Sequence, residues 1–148
     1  MNIRSGIKLL AERQGDGLIA EKGDWLTYNL RAFLNRGDEI PLNVMSDTDR
    51  HNVLTHHPEI LNPVDGCEFI NFNCRLGRRE AYAGVEYSLY GMREGGYRKV
   101  RVSPHLAYRA EGMPDLVPAN AVIVFEIWLR KIRFKAQHAG AGAGNTRA

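Results

Sequence analysis

The sequence predicts an α+β domain in which an antiparallel β-sheet bends around one short α-helix. Three observations predict it. Several stretches alternate apolar and polar residues with a period of two, the mark of half-buried strands. Only one segment carries a clear helical stripe, and more strands follow it. A helix of about ten residues covers only part of a sheet, so the sheet must curve to enclose it.

The first 20 residues hold one apolar run, Ile7 to Ala11, suited to an edge strand or a short helix. The segment WLTYNLRAFL places Leu26, Tyr28, Leu30 and Ala32 on one face, opposite Thr27, Asn29 and Arg31, and Asn35–Asp38 reads as a turn. Residues 43–67 are rich in Asp and Asn and contain two prolines, and read as a long loop excursion with at most one helical turn. In EFINFNCRL, Ile70, Phe72, Cys74 and Leu76 share the apolar side. Val85, Leu89 and Met92 then fall at i, i+4 and i+7, the stripe of the short helix. After the turn Glu94-Gly95-Gly96, a strand runs through Val100 and Val102, and a proline-containing loop spans Ser103 to Asn120. The final segment, AVIVFEIWLRKI, points Ile123, Phe125, Ile127 and Leu129 inward and is rich in β-branched and aromatic residues. Residues 1–135 make one expected domain, and the Gly/Ala-rich tail 136–148 is expected to be disordered.

Composition narrows the function classes. The chain has 148 residues with 44% hydrophobic and 25% charged, which is a globular rather than a disordered balance. A formal charge of +3 does not argue for nucleic acid, because Glu80, Glu86 and Glu94 intersperse the basic residues Arg75, Arg78, Arg79, Arg98, Lys99 and Arg101. The cysteines, Cys67 and Cys74, match neither a zinc knuckle nor a CxxC pair, so Cys74 reads as a buried thiol. Asp47, Asp49, His51, His56, His57 and Cys67 fit no metal template, and neither metal nor cofactor is expected. No apolar run spans a membrane, and the N-terminus lacks a long apolar leader core, so the expected address is cytoplasmic.

The C-terminal half carries a resemblance. Leu76-Gly77, Gly84, Gly91-Met92, Gly95, Ser103-Pro104, Ala107-Tyr108, Gly112, Pro118, Asn120-Ala121 and Val124-Phe125-Glu126 follow one another in unbroken register from Leu76 to Ile132. That series resembles the signature half of the FKBP-type peptidyl-prolyl isomerases, and Gly23–Tyr28 looks like the family's first long strand. The resemblance implies an FKBP-like fold and isomerisation of X-Pro bonds, with a proline-containing polypeptide as substrate. It implies a cup of Tyr28, Phe72, Val85, Tyr108, Leu116, Val117 and Phe125, rimmed by Ala81 and Tyr82. Tyr108, Tyr28 and Phe125 would be the catalytic groups, Tyr108 offering its hydroxyl to a substrate carbonyl.

Two departures stand out. Val85 holds the place where the family usually has a Trp floor, and Ile40-Pro41 stands where it has a Phe-Asp pair; Asp47 or Asp49 would be the loop carboxylates available to replace the lost one. A wider cup favours a second reading, a non-catalytic peptide-binding module. The outward residues Val122, Val124, Trp128 and Ile132 of the last strand form an apolar face, to be covered by the N-terminal segment or by a second copy in a homo-oligomer.

Overall fold

The computed structural model describes residues 2–64 and 67–136. Among the described residues nine strands form: β1 (Asn2–Arg4), β2 (Ile7–Arg13), β3 (Trp25–Leu34), β4 (Glu39–Ile40), β5 (Leu61–Val64), β6 (Cys67–Ile70), β7 (Phe72–Arg75), β8 (Tyr97–Val102) and β9 (Ile123–Phe134). Two helices accompany them, α1 (Asp47–His56) and α2 (Ala83–Leu89). The main sheet is antiparallel throughout its pairings and runs β1-β2-β8-β9-β3-β4, with β7 also on β3. The expected α+β architecture is present.

The sheet curls because its long strands are irregular. The β3/β9 ladder shifts register between Trp25 and Leu26 and again between Thr27 and Tyr28, and β2 shifts against β8 between Leu9 and Ala11. Such bulges bend a strand and increase its twist. The concave face holds Leu30, Ala32, Val100, Val102, Ile123, Phe125, Ile127 and Leu129, and α2 presses Val85 and Leu89 into it. Complete burial of each of these two helix side chains is worth about 1.5–3 kcal/mol. Gly84 lets the helix come this close, since a Cβ there would lie 2.5 Å from Val102 Cγ1. Met92 lies beyond the helix end yet is buried on the same core.

Four expectations change. Ile7–Ala11 belongs to an interior strand, because β2 has β1 on one side and β8 on the other. Residues 43–67 are not a loop with one turn. They hold the ten-residue α1, a 3-10 turn at Pro58–Ile60 and β5, which pairs with β6. No residue of α1 is buried, so no apolar stripe announces it; the Ser46 hydroxyl caps it by accepting from Asp49 N at 3.1 Å, and Arg50 bridges to Glu68. Residues 68–76 form two strands rather than one, since the ladder changes partner at Asn71 and turns Phe69 to the convex side.

That turn answers the expectation about the outer face of β9. Phe69 packs on Trp128 at 5.0 Å between ring centroids, and the Arg130 guanidinium lies 5.7 Å from both rings. Val124 and Ile132 are buried as well. The β5–β6 hairpin of this chain, rather than its N-terminal segment, packs on the face at Trp128, while Val122 is half-buried. The residues 137–148 of the expected tail lie outside the described ones. Among the described residues, no helix is long and apolar enough to cross a membrane.

Candidate functional site

A hollow of about 1170 Å³ opens between the concave sheet and α2. Its aromatic wall is built by strand pairing. Tyr28 and Phe72 are register partners on β3 and β7, and their rings stack at 5.8 Å and 27°. Such cross-strand pairs fix each other's rotamers. Val85 lies at the base of the hollow from α2, and Leu30 and Leu42 add apolar surface beside it. Ala81 and Tyr82 reach the hollow from the turn that leads into α2.

Tyr108 comes from the long loop before β9. A 3-10 turn at Pro104–Leu106 precedes it, and Pro104 O accepts from both Ala107 N and Arg109 N. Further on, Gly112 sits at φ +64 with no room for a Cβ, which would lie 2.3 Å from Val117 O. This tight strap, closed by the Met113–Val117 bridge, brings Met113 to the wall.

The Tyr108 hydroxyl is the unusual group. The residue is 7% exposed, and its hydroxyl is buried without a hydrogen-bond partner. Burial raises its phenol pKa above the ordinary range, and Tyr82 adds to the rise. The Tyr82 hydroxyl is thus near enough to weigh on this proton without making a hydrogen bond of normal geometry. Tyr28 is raised too, first by burial and then by Cys74, Glu80 and Glu86. Both phenols are therefore protonated donors at neutral pH.

The two carboxylates on the α2 side are engaged by backbone donors. Glu86 is buried and accepts from Gly77 N at 2.8 Å and Arg79 N at 3.2 Å, while Glu80 accepts from Arg75 N. Asp47 and Asp49 lie exposed on α1 and do not line the hollow, and Pro41 is exposed.

The nine residues singled out in the sequence separate into two groups. Tyr28, Phe72, Ala81, Tyr82, Val85 and Tyr108 line one hollow. Phe125 is adjacent but fully buried behind Tyr82, and it does not line the hollow. Leu116 is 44% exposed and Val117 is buried, and neither is a lining residue; Met113 provides that stretch of wall. Leu42 and Met113 sit in irregular segments, where no periodicity signals the direction of a side chain.

Sequence comparison now bears on this geometry. Residues 63–130 match the profile of the FKBP-type peptidyl-prolyl cis-trans isomerase family. The chain is 32% identical over 98 residues to FK506-binding protein 1A of Neurospora crassa, an alignment covering 66% of this chain and 75% of that protein. The chain belongs to this family. Two further relatives align over 62 residues, or 42% of the chain: FK506-binding protein 4 of Chaetomium thermophilum at 44% identity and the 46 kDa FK506-binding nuclear protein of Spodoptera frugiperda at 39%. The aligned stretch is only 13% and 15% of those two proteins' own length. The family thus supports a peptidyl-prolyl isomerase-type function, and the hollow of this FKBP-type chain lies where its concave sheet meets α2.

Proposed function

We propose that this FKBP-type chain catalyses cis–trans isomerisation of X-Pro peptide bonds in the hollow between Tyr28, Phe72, Val85 and Tyr108. Rotation about the bond needs no nucleophile. Its barrier, about 18–20 kcal/mol, comes from amide resonance. The planar amide is more polar than the twisted one, so an apolar wall that excludes water disfavours the planar form more. Groups that hold the twisted form better than the planar one lower the barrier.

The observation that carries this reading is the Tyr108 hydroxyl. A buried, unpaired donor costs roughly 1–3 kcal/mol. The fold tolerates that cost beside the aromatic wall of the hollow, where a substrate carbonyl would be its acceptor. The stacked pair of Tyr28 and Phe72 supplies the apolar surface for a pyrrolidine ring.

A second reading, peptide capture without turnover, draws on Val85. A valine at the base of a wide hollow grips a ring less closely than a large aromatic residue would. One experiment separates the two: the rate of cis–trans exchange in short X-Pro peptides, followed by NMR with the chain at catalytic concentration. Accelerated exchange supports isomerisation. Peptide shifts without acceleration would overturn it in favour of capture.

A further inference from the structure

Tyr82 occupies an unexpected place. It is the last residue before α2, and its ring lies 4.7 Å from the Tyr108 ring at 52° and 6.2 Å from the Phe125 ring at 25°. Those are separations at which aromatic rings attract. Phe125 has no exposed surface and is absent from the wall of the hollow, and the Tyr108 hydroxyl is buried without an acceptor. The two groups expected to meet a substrate are thus both packed against one ring of the same chain.

That ring is lightly held. Tyr82 is 38% exposed, caps no backbone group of the helix, and follows a turn whose residues 78–80 are exposed. Ala81 and Ala83 flank it with little bulk. Its ring contacts are those with Tyr108 and Phe125, and its hydroxyl lies near that of Tyr108.

We propose that Tyr82 is a gate and a specificity-determining residue. Its ring is an internal occupant of the prolyl position and must leave Phe125 and Tyr108 before a substrate's proline can seat. The inference rests on the isomerase reading of this hollow. A protein whose competent state is only a fraction of the population binds with its affinity reduced by that fraction. Removing the ring therefore strengthens binding, the opposite of what a plain contact residue does.

The test is an NMR titration of the full chain with the peptide Ala-Leu-Pro-Phe, using wild type, Tyr82→Ala, Tyr82→Leu and Tyr82→Phe. Tyr82→Leu keeps apolar bulk should the alanine variant fold poorly. We expect Tyr82→Ala and Tyr82→Leu to bind about 3- to 10-fold more tightly, the range set by one aromatic contact, while Tyr82→Phe, which keeps the ring, shows no such gain. In the same two ring-less variants the Tyr108 phenol, newly exposed, titrates at lower pH. Wild type that binds with ring-less variants that bind equally or more weakly would overturn the gate and leave the isomerase reading intact. An unmoved Tyr108 titration overturns the gate by itself. No binding by any of the chains removes the isomerase reading and the gate together.

Discussion

Arg130 donates from Nε to Asn29 Oδ1 at 2.6 Å, across the β3/β9 ladder on the convex face of the sheet. Asn29 has no exposed surface, and its remaining capacity is spent on the hairpin: Nδ2 donates to Ile70 O and Asn71 Oδ1, and Oδ1 also accepts from Asn62 Nδ2. One side chain thereby ties both strands of the β5–β6 hairpin to the sheet. Replacing it with leucine strands several buried polar groups at once. We expect Asn29→Leu to lose about 2–3 kcal/mol of stability, measured by urea unfolding. Loss of hairpin amide protection in hydrogen exchange would accompany it.

Tyr108→Phe gives activity and stability opposite signs. Removing a buried hydroxyl that has no partner removes a desolvation cost, so unfolding stability is unchanged or higher by up to about 1 kcal/mol. The same change takes away the donor proposed for a substrate carbonyl, and isomerisation is expected to fall roughly 10-fold, equal to about 1.4 kcal/mol. Parallel loss of both quantities in thermal melts and exchange kinetics would mean that the hydroxyl serves the fold instead.

The sequence made the sheet legible wherever a strand has one wet face. Tyr28, Leu30 and Ala32 on β3 and Ile123, Phe125, Ile127 and Leu129 on β9 alternate because one side meets the core, and all are buried. The cup was implied by the family resemblance, and the strand phases agree with it where Tyr28 and Phe72 meet. Helix α1 was illegible for the opposite reason: it buries nothing, and only the spacing of Ser46 and Asp49, cap and third helical residue, marks its start. The break between β6 and β7 was missed because alternation continues smoothly through Asn71, while the backbone there changes ladder. Leu116 and Val117 were set on the wall by register alone, and inside a strap that turns on Gly112 register does not decide which side chain faces inward.

Gly84 is a packing constraint with a measurable cost. An added methyl would meet both Val102 methyls and Leu106 O at 3.0 Å or less. Two of these atoms belong to a buried strand residue that cannot retreat. Despite the better helix propensity of alanine, Gly84→Ala is expected to destabilise by roughly 1–3 kcal/mol, the usual range for overpacking. The thermal midpoint checks it. Combining it with Val102→Ala should recover part of the loss, because the two sites couple directly.

Cys74 sets an alkaline limit. Burial, and then the nearby Glu86 and Glu80, push its thiol up to about 12. An unfolded thiol ionises near 8.5. The folded state therefore binds the proton more tightly, and this contribution is fully present below about pH 8.5. It is lost progressively as pH rises through the window up to about 12. In a Cys67→Ser background, Cys74 should react with iodoacetamide only at the rate of unfolding at pH 8. Cys74→Ala should flatten the fall in urea midpoint between pH 8.5 and 10.

Asp24 sets the acid limit by the reverse sign. Burial by itself would raise its carboxyl, but the donors Ala136 N, Lys135 Nζ and Glu21 N together hold it below the usual carboxylate range. A depressed folded pKa gives stability that is present above the unfolded value, roughly 3.9, and is lost as pH falls through the folded one. The group is fully buried at the start of β3, so its protonation leaves three donors facing a neutral acid. Asp24→Asn should cost about 1–3 kcal/mol at pH 7. The gap between variant and wild type in urea unfolding should narrow as pH drops below 4; a gap that stays constant down to pH 2 would show that the carboxylate's charge contributes nothing there.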